Sequence, residues 1–309
     1  MLTVSLFSLQ PVFSSEDTEI LCEEKTVQYS EVFTDGVSLS EVHNIIENYT
    51  GNISISSTTR ILENSTEYRA YVRKRLSELE MPSCLEYLPI IESDYKPTAK
   101  PPAGTSMGLW QFMPNSVSPY MELSEYVDER RDPWISTEGA LKKLAANYRQ
   151  FGDWLLALAA YNCGAGAVKR GLSQAKDKTY TGLCTENLIP DHAKAYVKRF
   201  LALSNIIINA EFFGYDKLNL ANQIDGMEDT SYFFYDDFDY VTVTHSIRLD
   251  VLAMELKLDY DILRNLNLSL IKNITPPGRE YRLRLPKGMG PACTEAIVNL
   301  ITKQFLNKE

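Results

Sequence analysis

The sequence is poor in the residues that build metal centres and membrane spans. Its three histidines fall in no ligand register, and its five cysteines (Cys22, Cys84, Cys163, Cys184 and Cys293) form no Cys-x-x-Cys pair. A zinc site is therefore excluded as an expectation, and no cofactor of any kind is expected. No apolar run reaches the ~18–20 residues that a transmembrane helix requires. Positive charge is scarce as well. With 31 Lys and Arg against 41 Asp and Glu the net charge is −10, which argues against a general polyanion binder and against nucleic acid as a partner. Residues 1–15 are apolar and then small, ending Val12-Phe13-Ser14-Ser15-Glu16, like the back half of a secretory signal. A basic leader is missing, since the first lysine is Lys25. The stretch is either a truncated signal peptide or an ordinary apolar strand.

What is present is an ordinary apolar fraction, 44% of 309 residues, enough for one substantial core and one or two smaller modules. Residues 16–65 form a polar lead-in. Helical spacing then dominates. A helix is predicted over 67–79, ended by Met81-Pro82. A Ser83-x-x-Glu86 capping box opens the next helix, which delivers Glu92 and which Pro89 should kink. Residues 94–106 read as loop and 108–112 as a short extended segment. Ser136 is the expected N-cap of a helix over 137–151, and Asp153 that of a helix over 154–162 that is apolar on every side and so belongs inside an α-helical domain. Gly164-Ala165-Gly166 breaks that helix. A further helix over 165–174, a loop over 177–188 and a long amphipathic helix over 190–213 follow. Residues 216–235 read as linker. Beyond them the pattern is strand, helix, helix, strand (240–244, 249–256, 260–266, 281–286), a small module spanning 236–290, and a terminal helix within 291–309. The fold class expected is mainly α, with a minor extended segment and a small strand-helix-helix-strand appendage.

Leu88-Pro89-Ile90-Ile91-Glu92-Ser93 sets one carboxylate after an apolar run. Burial there penalises the charged form, so Glu92 is expected to hold a proton near neutral pH and to serve as a general acid. The bland alternative is a helix-end cap or an ion pair.

Read together, Glu92-Ser93, Gly108-Leu109-Trp110-Gln111-Phe112-Met113-Pro114, Arg130-Arg131-Asp132-Pro133, Gly152-Asp153-Trp154, Ala160-Tyr161-Asn162 and Tyr196 resemble, in order and spacing, the lytic murein transglycosylases of the membrane-bound lytic transglycosylase D type. The resemblance covers roughly residues 66–215 and implies a goose-lysozyme-like, α-helical catalytic domain. It implies that Glu92 is the catalytic acid and base, and that Ser93, Gly108, Gln111, Tyr161, Asn162 and Tyr196 face the glycan. Trp110 is expected either to stack on a sugar or to sit in the core. The chain departs from the family pattern at Lys100 or Pro101, where members often carry Ser, and at Cys163. The 236–290 module resembles a degenerate lysin motif through Asn265-Leu266-Asn267 and its closing strand, with His245-Ser246 where Gly-Asp-Thr/Ser is usual. As an appended wall-binding module, its removal is expected to weaken sacculus binding and spare cleavage of short soluble glycans.

Ordinary glycoside hydrolysis uses two carboxylates. Asp94, Asp128, Asp132 and Asp153 are the candidates for a second, and none is compelling. The resemblance implies a reaction without water, in which Glu92 protonates the β-1,4 bond between N-acetylmuramic acid and N-acetylglucosamine and then draws the proton from the muramyl C6 hydroxyl, leaving a 1,6-anhydromuramyl end. The alternatives are a water-using muramidase on the same fold and a non-catalytic wall-binding protein. Peptidoglycan strands are the expected partner. The expected location is exported, in the periplasm or cell envelope of a bacterium, with peripheral envelope association and no transmembrane span.

Overall fold

The computed structural model describes residues 3–4, 27–28, 51, 53–224 and 238–306. Most of the signal-like stretch and of the polar lead-in, and residues 225–235 of the expected 216–235 linker, lie outside the described residues. In chain order the elements are β1 (Thr3–Val4), β2 (Val27–Gln28), α1 (Ile55–Asn64), α2 (Thr66–Glu78), a 3-10 turn (Ser83–Tyr87) and α3 (Leu88–Ser93). Next come α4 (Pro133–Phe151), α5 (Trp154–Cys163), α6 (Ala165–Gln174), α7 (Tyr180–Thr185), α8 (Asp191–Ile208) and α9 (Asp216–Asn222). The chain ends with β3 (Phe238–Val243), α10 (Leu249–Leu256), α11 (Tyr260–Leu266), β4 (Tyr281–Pro286) and α12 (Gly290–Leu306). The protein is mainly helical, as expected.

Internal contacts divide the chain into two compact units, Met1–Asn64 with Leu76–Ile91 and Leu144–Ile224, and Ser65–Arg75 with Glu92–Lys143 and Asp225–Glu309. Residues 92–143 thus share a unit with the C-terminal module.

In the first unit α5 is the central element, buried from Trp154 to Tyr161. Its start is fixed as expected, with Asp153 Oδ1 accepting from Leu156 N at 2.8 Å. It ends at Gly164, whose φ of +86° is the left-handed geometry that favours glycine. Helices α6 and α8 pack on α5, and α9 packs on α1. The segment expected to begin the linker is therefore partly helix: Leu218 of α9 is fully buried, and Tyr87 Oη donates to Asn222 Oδ1 at 3.1 Å. The expected loop over 177–188 contains α7, started by the Thr179 side chain, which accepts from Gly182 N at 3.0 Å.

Two expectations around Glu92 fail for local reasons. The Ser83–Glu86 capping box does not form, because Pro82 occupies the N-cap of the 3-10 turn and no side chain caps it. Pro89 does not kink a helix either. It sits in the first turn of α3, where a backbone N–H has no intrahelical partner to lose.

In the second unit α4 starts three residues before the expected cap. Asp132 is the capping residue, its Oδ1 accepting from Trp134 N and Ile135 N at 3.0 Å each, with Pro133 at the first helical position. Ser136 and Thr137 lie inside the helix and return their hydroxyls to the Asp132 and Pro133 carbonyls at 2.6 Å. The C-terminal module is built on an antiparallel pair running from Phe238↔Pro286 to Val243↔Tyr281. Its core gathers Val243, Leu252, Leu263, Leu270, Leu283 and Leu285 with Cys293 and Ile297 of α12, so the terminal helix is part of the module. Asn267, singled out by the lysin-motif likeness, ties α11 to β4. Its Nδ2 donates to the Leu263 and Arg284 carbonyls, and its Oδ1 accepts from Arg284 N.

Candidate active site

Glu92 is the penultimate residue of α3 and is half-buried. The helix ends abruptly behind it, since Asp94 and Tyr95 take left-handed φ values of 53° and 60°. Such backbone costs about 1–3 kcal/mol per non-glycine residue and persists only where the surroundings impose it. Here the buried Tyr95 ring and the Ser93 hydroxyl provide the hold. Ser93 Oγ donates to the Leu109 carbonyl at 2.8 Å, tying the residue beside Glu92 to the Gly108–Gln111 turn.

That turn is tight, not extended as expected. Met107 and Phe112 bridge antiparallel, and Gln111 N donates to Gly108 O at 3.3 Å. Gly108 has φ +87°, and a Cβ there would lie 1.7 Å from the Arg130 carbonyl oxygen, so only glycine fits. Gln111 is left-handed too (φ 46°). Its Nε2 donates to Ala99 O at 3.0 Å and Gly108 O at 2.8 Å, while its Oε1 accepts from Ser106 Oγ at 2.8 Å. The amide expected to read sugar groups thus closes its own loop. Trp110 takes the core alternative and not the sugar-stacking one. It is 0% exposed, and its Nε1 donates to Thr137 Oγ1 at 2.9 Å, so neither ring face is open to a sugar and the residue is core.

Two residues given no individual role at the outset organise this region. Arg130 is buried; its Nε and Nη2 grip Asp128 Oδ1 and Oδ2 at 2.8 Å each, and its Nη1 donates to Thr105 O and Phe112 O at 2.8 and 3.1 Å. It clamps both ends of the loop that carries Ser106, Gly108 and Gln111. Lys143, on α4, lies with its ammonium 5.2 Å from the centroid of the Phe112 ring. Burial lowers its pKa, and the charge of Glu92 works against that lowering, which places Lys143 in the electrostatic field of the candidate acid. Lys143 falls between the apolar Leu141 and Leu144, where a long cationic side chain reads simply as a snorkelling surface group.

The four carboxylates considered as a second catalyst are all engaged elsewhere. Asp94 pairs with Lys96 at 3.1 Å on the surface, Asp128 holds Arg130, Asp132 caps α4 and pairs with Arg284 at 2.7 Å, and Asp153 caps α5.

In the first unit, Tyr161 and Asn162 occupy the last turn of α5, Tyr161 with 7% exposure and Asn162 open to solvent. Tyr196 is half-buried on α8, which packs on α5.

Residues 73–183 match the Transglycosylase SLT domain family, and residues 237–297 match the family described as Lytic transglycosylase MltD, LysM-like domain. The chain carries an SLT domain followed by an MltD-type LysM-like domain. It is homologous to the membrane-bound lytic murein transglycosylase D of Escherichia coli K12, with 34% identity over 149 residues, which is 48% of this chain and 33% of that protein. The same figures hold for the protein of that name in E. coli O6:H1. The chain thus spans about a third of the length of these relatives. Among solved structures, the 70 kDa soluble lytic transglycosylase SLT70 from E. coli is similar over 60% of this chain and 32% of that one, at 22% identity and a TM-score of 0.39. Glu92, Gly108, Gln111 and Tyr161 fall within the SLT match, and Tyr196 lies beyond it. The LysM-like match reaches into α12, in keeping with the packing of that helix in the module core.

Proposed function

We propose that the protein is a peptidoglycan lytic transglycosylase in which Glu92 acts as acid and then as base. The observation that carries this reading is the SLT match across residues 73–183, with Glu92 half-buried at the end of α3 and the residue beside it anchored to the Gly108–Gln111 turn. Glu92 protonates the oxygen of the β-1,4 bond between N-acetylmuramic acid and N-acetylglucosamine as C1–O cleaves. Its carboxylate then takes the proton of the muramyl C6 hydroxyl as that oxygen bonds to C1. The nucleophile belongs to the substrate, so orientation replaces a second catalytic group. This is in keeping with the commitment of Asp94, Asp128, Asp132 and Asp153 to other partners. Lys143, whose pKa is lowered by burial with the charge of Glu92 opposing that, is a cationic neighbour of the proposed acid. Ser93, Gly108 and Gln111 shape the loop next to the acid, and Tyr161, Asn162 and Tyr196 are the proposed glycan contacts.

Such a substrate supports an exported location, in the periplasm or cell envelope of a bacterium. Among the described residues no helix is long and apolar enough to cross a membrane. The deciding experiment is mass spectrometry of sacculi digested by the purified protein. Anhydro-ended muropeptides are expected from the wild type and none from Glu92→Gln. Products heavier by one water would make the protein a hydrolase, and a Glu92→Gln protein that still releases fragments would remove Glu92 from the chemistry.

A further inference from the structure

The LysM-like domain does more than follow the SLT domain in sequence. Its loop between α11 and β4 forms a short pairing with residues 126–128: Val127 bridges Leu270 antiparallel, Asp128 N donates to Ser269 O at 2.8 Å, and Ile271 N donates to Tyr126 O at 2.9 Å. Val127 is buried in the module's own core beside Leu263, Leu270 and Leu283. Ion pairs flank the seam, Lys272 with Glu125 at 2.5 Å and Arg279 with Glu122.

From this seam hydrogen bonds and one close backbone contact lead to Ser93, the neighbour of the candidate acid. The Asp128 backbone is held by Ser269, and the Asp128 carboxylate grips Arg130. The Arg130 guanidinium fixes the Thr105 and Phe112 carbonyls, and its own carbonyl fills the space left by the missing side chain of Gly108. Leu109, next in the turn, accepts the hydroxyl of Ser93, the neighbour of Glu92. A glycan-binding bead on a tether needs none of these connections.

We infer that the LysM-like domain is a positioning element of the active site, bracing the Gly108–Gln111 turn through Asp128 and Arg130. The inference rests on the proposed catalytic role of Glu92 and deepens it. Removing the brace lowers turnover on every substrate, including glycans too short to reach a separate binding module.

The test uses the full chain with Lys272→Glu and Arg279→Glu together. Both side chains are partly exposed, so the reversal opposes like charges across the seam without emptying a core. On a short soluble glycan kcat is expected to fall about ten- to a hundredfold with KM little changed. The reciprocal changes Glu122→Lys and Glu125→Lys should restore it. Hydrogen exchange at the Gly108 and Gln111 amides, bonded to Ala99 O and Gly108 O, should speed up in the charge-reversed protein and slow again in the swap. That readout does not depend on catalysis, while wild type against Glu92→Gln, run in parallel, reports on the proposed function alone. If the double variant does not fold, Lys272→Glu alone decides in the same way. Unchanged kcat and exchange with weaker sacculus binding would overturn the brace in favour of a tethered binder. A loss that the charge swap does not rescue would overturn it too.

Discussion

Arg284 Nη1 donates to Asp132 Oδ2 at 2.7 Å, with the two side chains only 5% and 3% exposed. Arg284 belongs to β4 of the LysM-like domain, and Asp132 is the N-cap of α4, so one buried pair ties the module to the start of an SLT-domain helix. Burial pushes the Arg284 pKa down, but the Asp132 charge and hydrogen bond outweigh it and leave it raised. The guanidinium also lies 4.5 Å from the Trp134 ring centroid and 5.4 Å from that of Phe238, so its faces meet π-clouds while its edge meets the carboxylate. A buried ion pair has a modest net worth, because desolvation offsets most of the attraction, yet removing one partner strands the other. Arg284→Met should therefore cost about 3–5 kcal/mol in urea unfolding. Asp132→Asn keeps the cap oxygen but strands the arginine. A double variant no worse than either single one is the expected result, and purely additive losses would mean the pair is not coupled.

Gly108→Ala tests the turn beside the acid. The added methyl would meet the Arg130 carbonyl at 1.7 Å, and backbone on both sides leaves no flexible side chain to yield. The turn must open, releasing Leu109 from Ser93. A fall in turnover of about a hundredfold or more is expected, and near wild-type rates would show that the turn does not set the geometry of Glu92.

What was legible in the sequence was what local chemistry decides. Gly152 ends α4, and Asp153 and Gly164 delimit α5, as read, because a cap or a left-handed stop acts within a few residues. The module's two helices and closing strand match for the same reason. Ser83 and Ser136 misled because each had a stronger local competitor, Pro82 in one case and the Asp132-Pro133 pair in the other. Trp110 could not be placed in advance, since its burial depends on Thr137, a residue 27 positions away. The seam between 126–128 and 269–271 left no trace in the sequence. It joins segments some 140 residues apart through backbone groups, which carry no side-chain signature.

Glu138 supplies a pH-dependent contribution. Burial pushes its carboxyl up, but hydrogen bonds from Arg75 at 2.6 Å and Tyr71 at 2.9 Å outweigh this and hold it below the ordinary value. A depressed carboxyl adds stability that is fully present above its unfolded value and is lost as pH falls through the lower folded one. Glu138→Gln should cost about 1–2 kcal/mol at pH 7. The gap between wild type and variant should close as pH drops below the ordinary carboxylate range. A gap that persists in acid would mean that packing, and not charge, is what Glu138 contributes.

Lys143 gives the sharpest test of the electrostatics around Glu92. An ammonium in the field of a carboxyl favours the ionised form in general, so the proposed acid role of Glu92 makes the pH profile the place to look for an effect of Lys143. Activity that needs protonated Glu92 then falls off earlier on the alkaline side. Lys143→Met keeps an apolar stem against Phe112 and removes the charge, so the descending limb of kcat/KM should move to higher pH by on the order of 0.5–1 unit. Lys143→Arg keeps the charge and should leave the limb in place, whereas a purely packing role would make Met the milder change. If the Met variant leaves the pH profile in place, Lys143 does not act through the charge of Glu92.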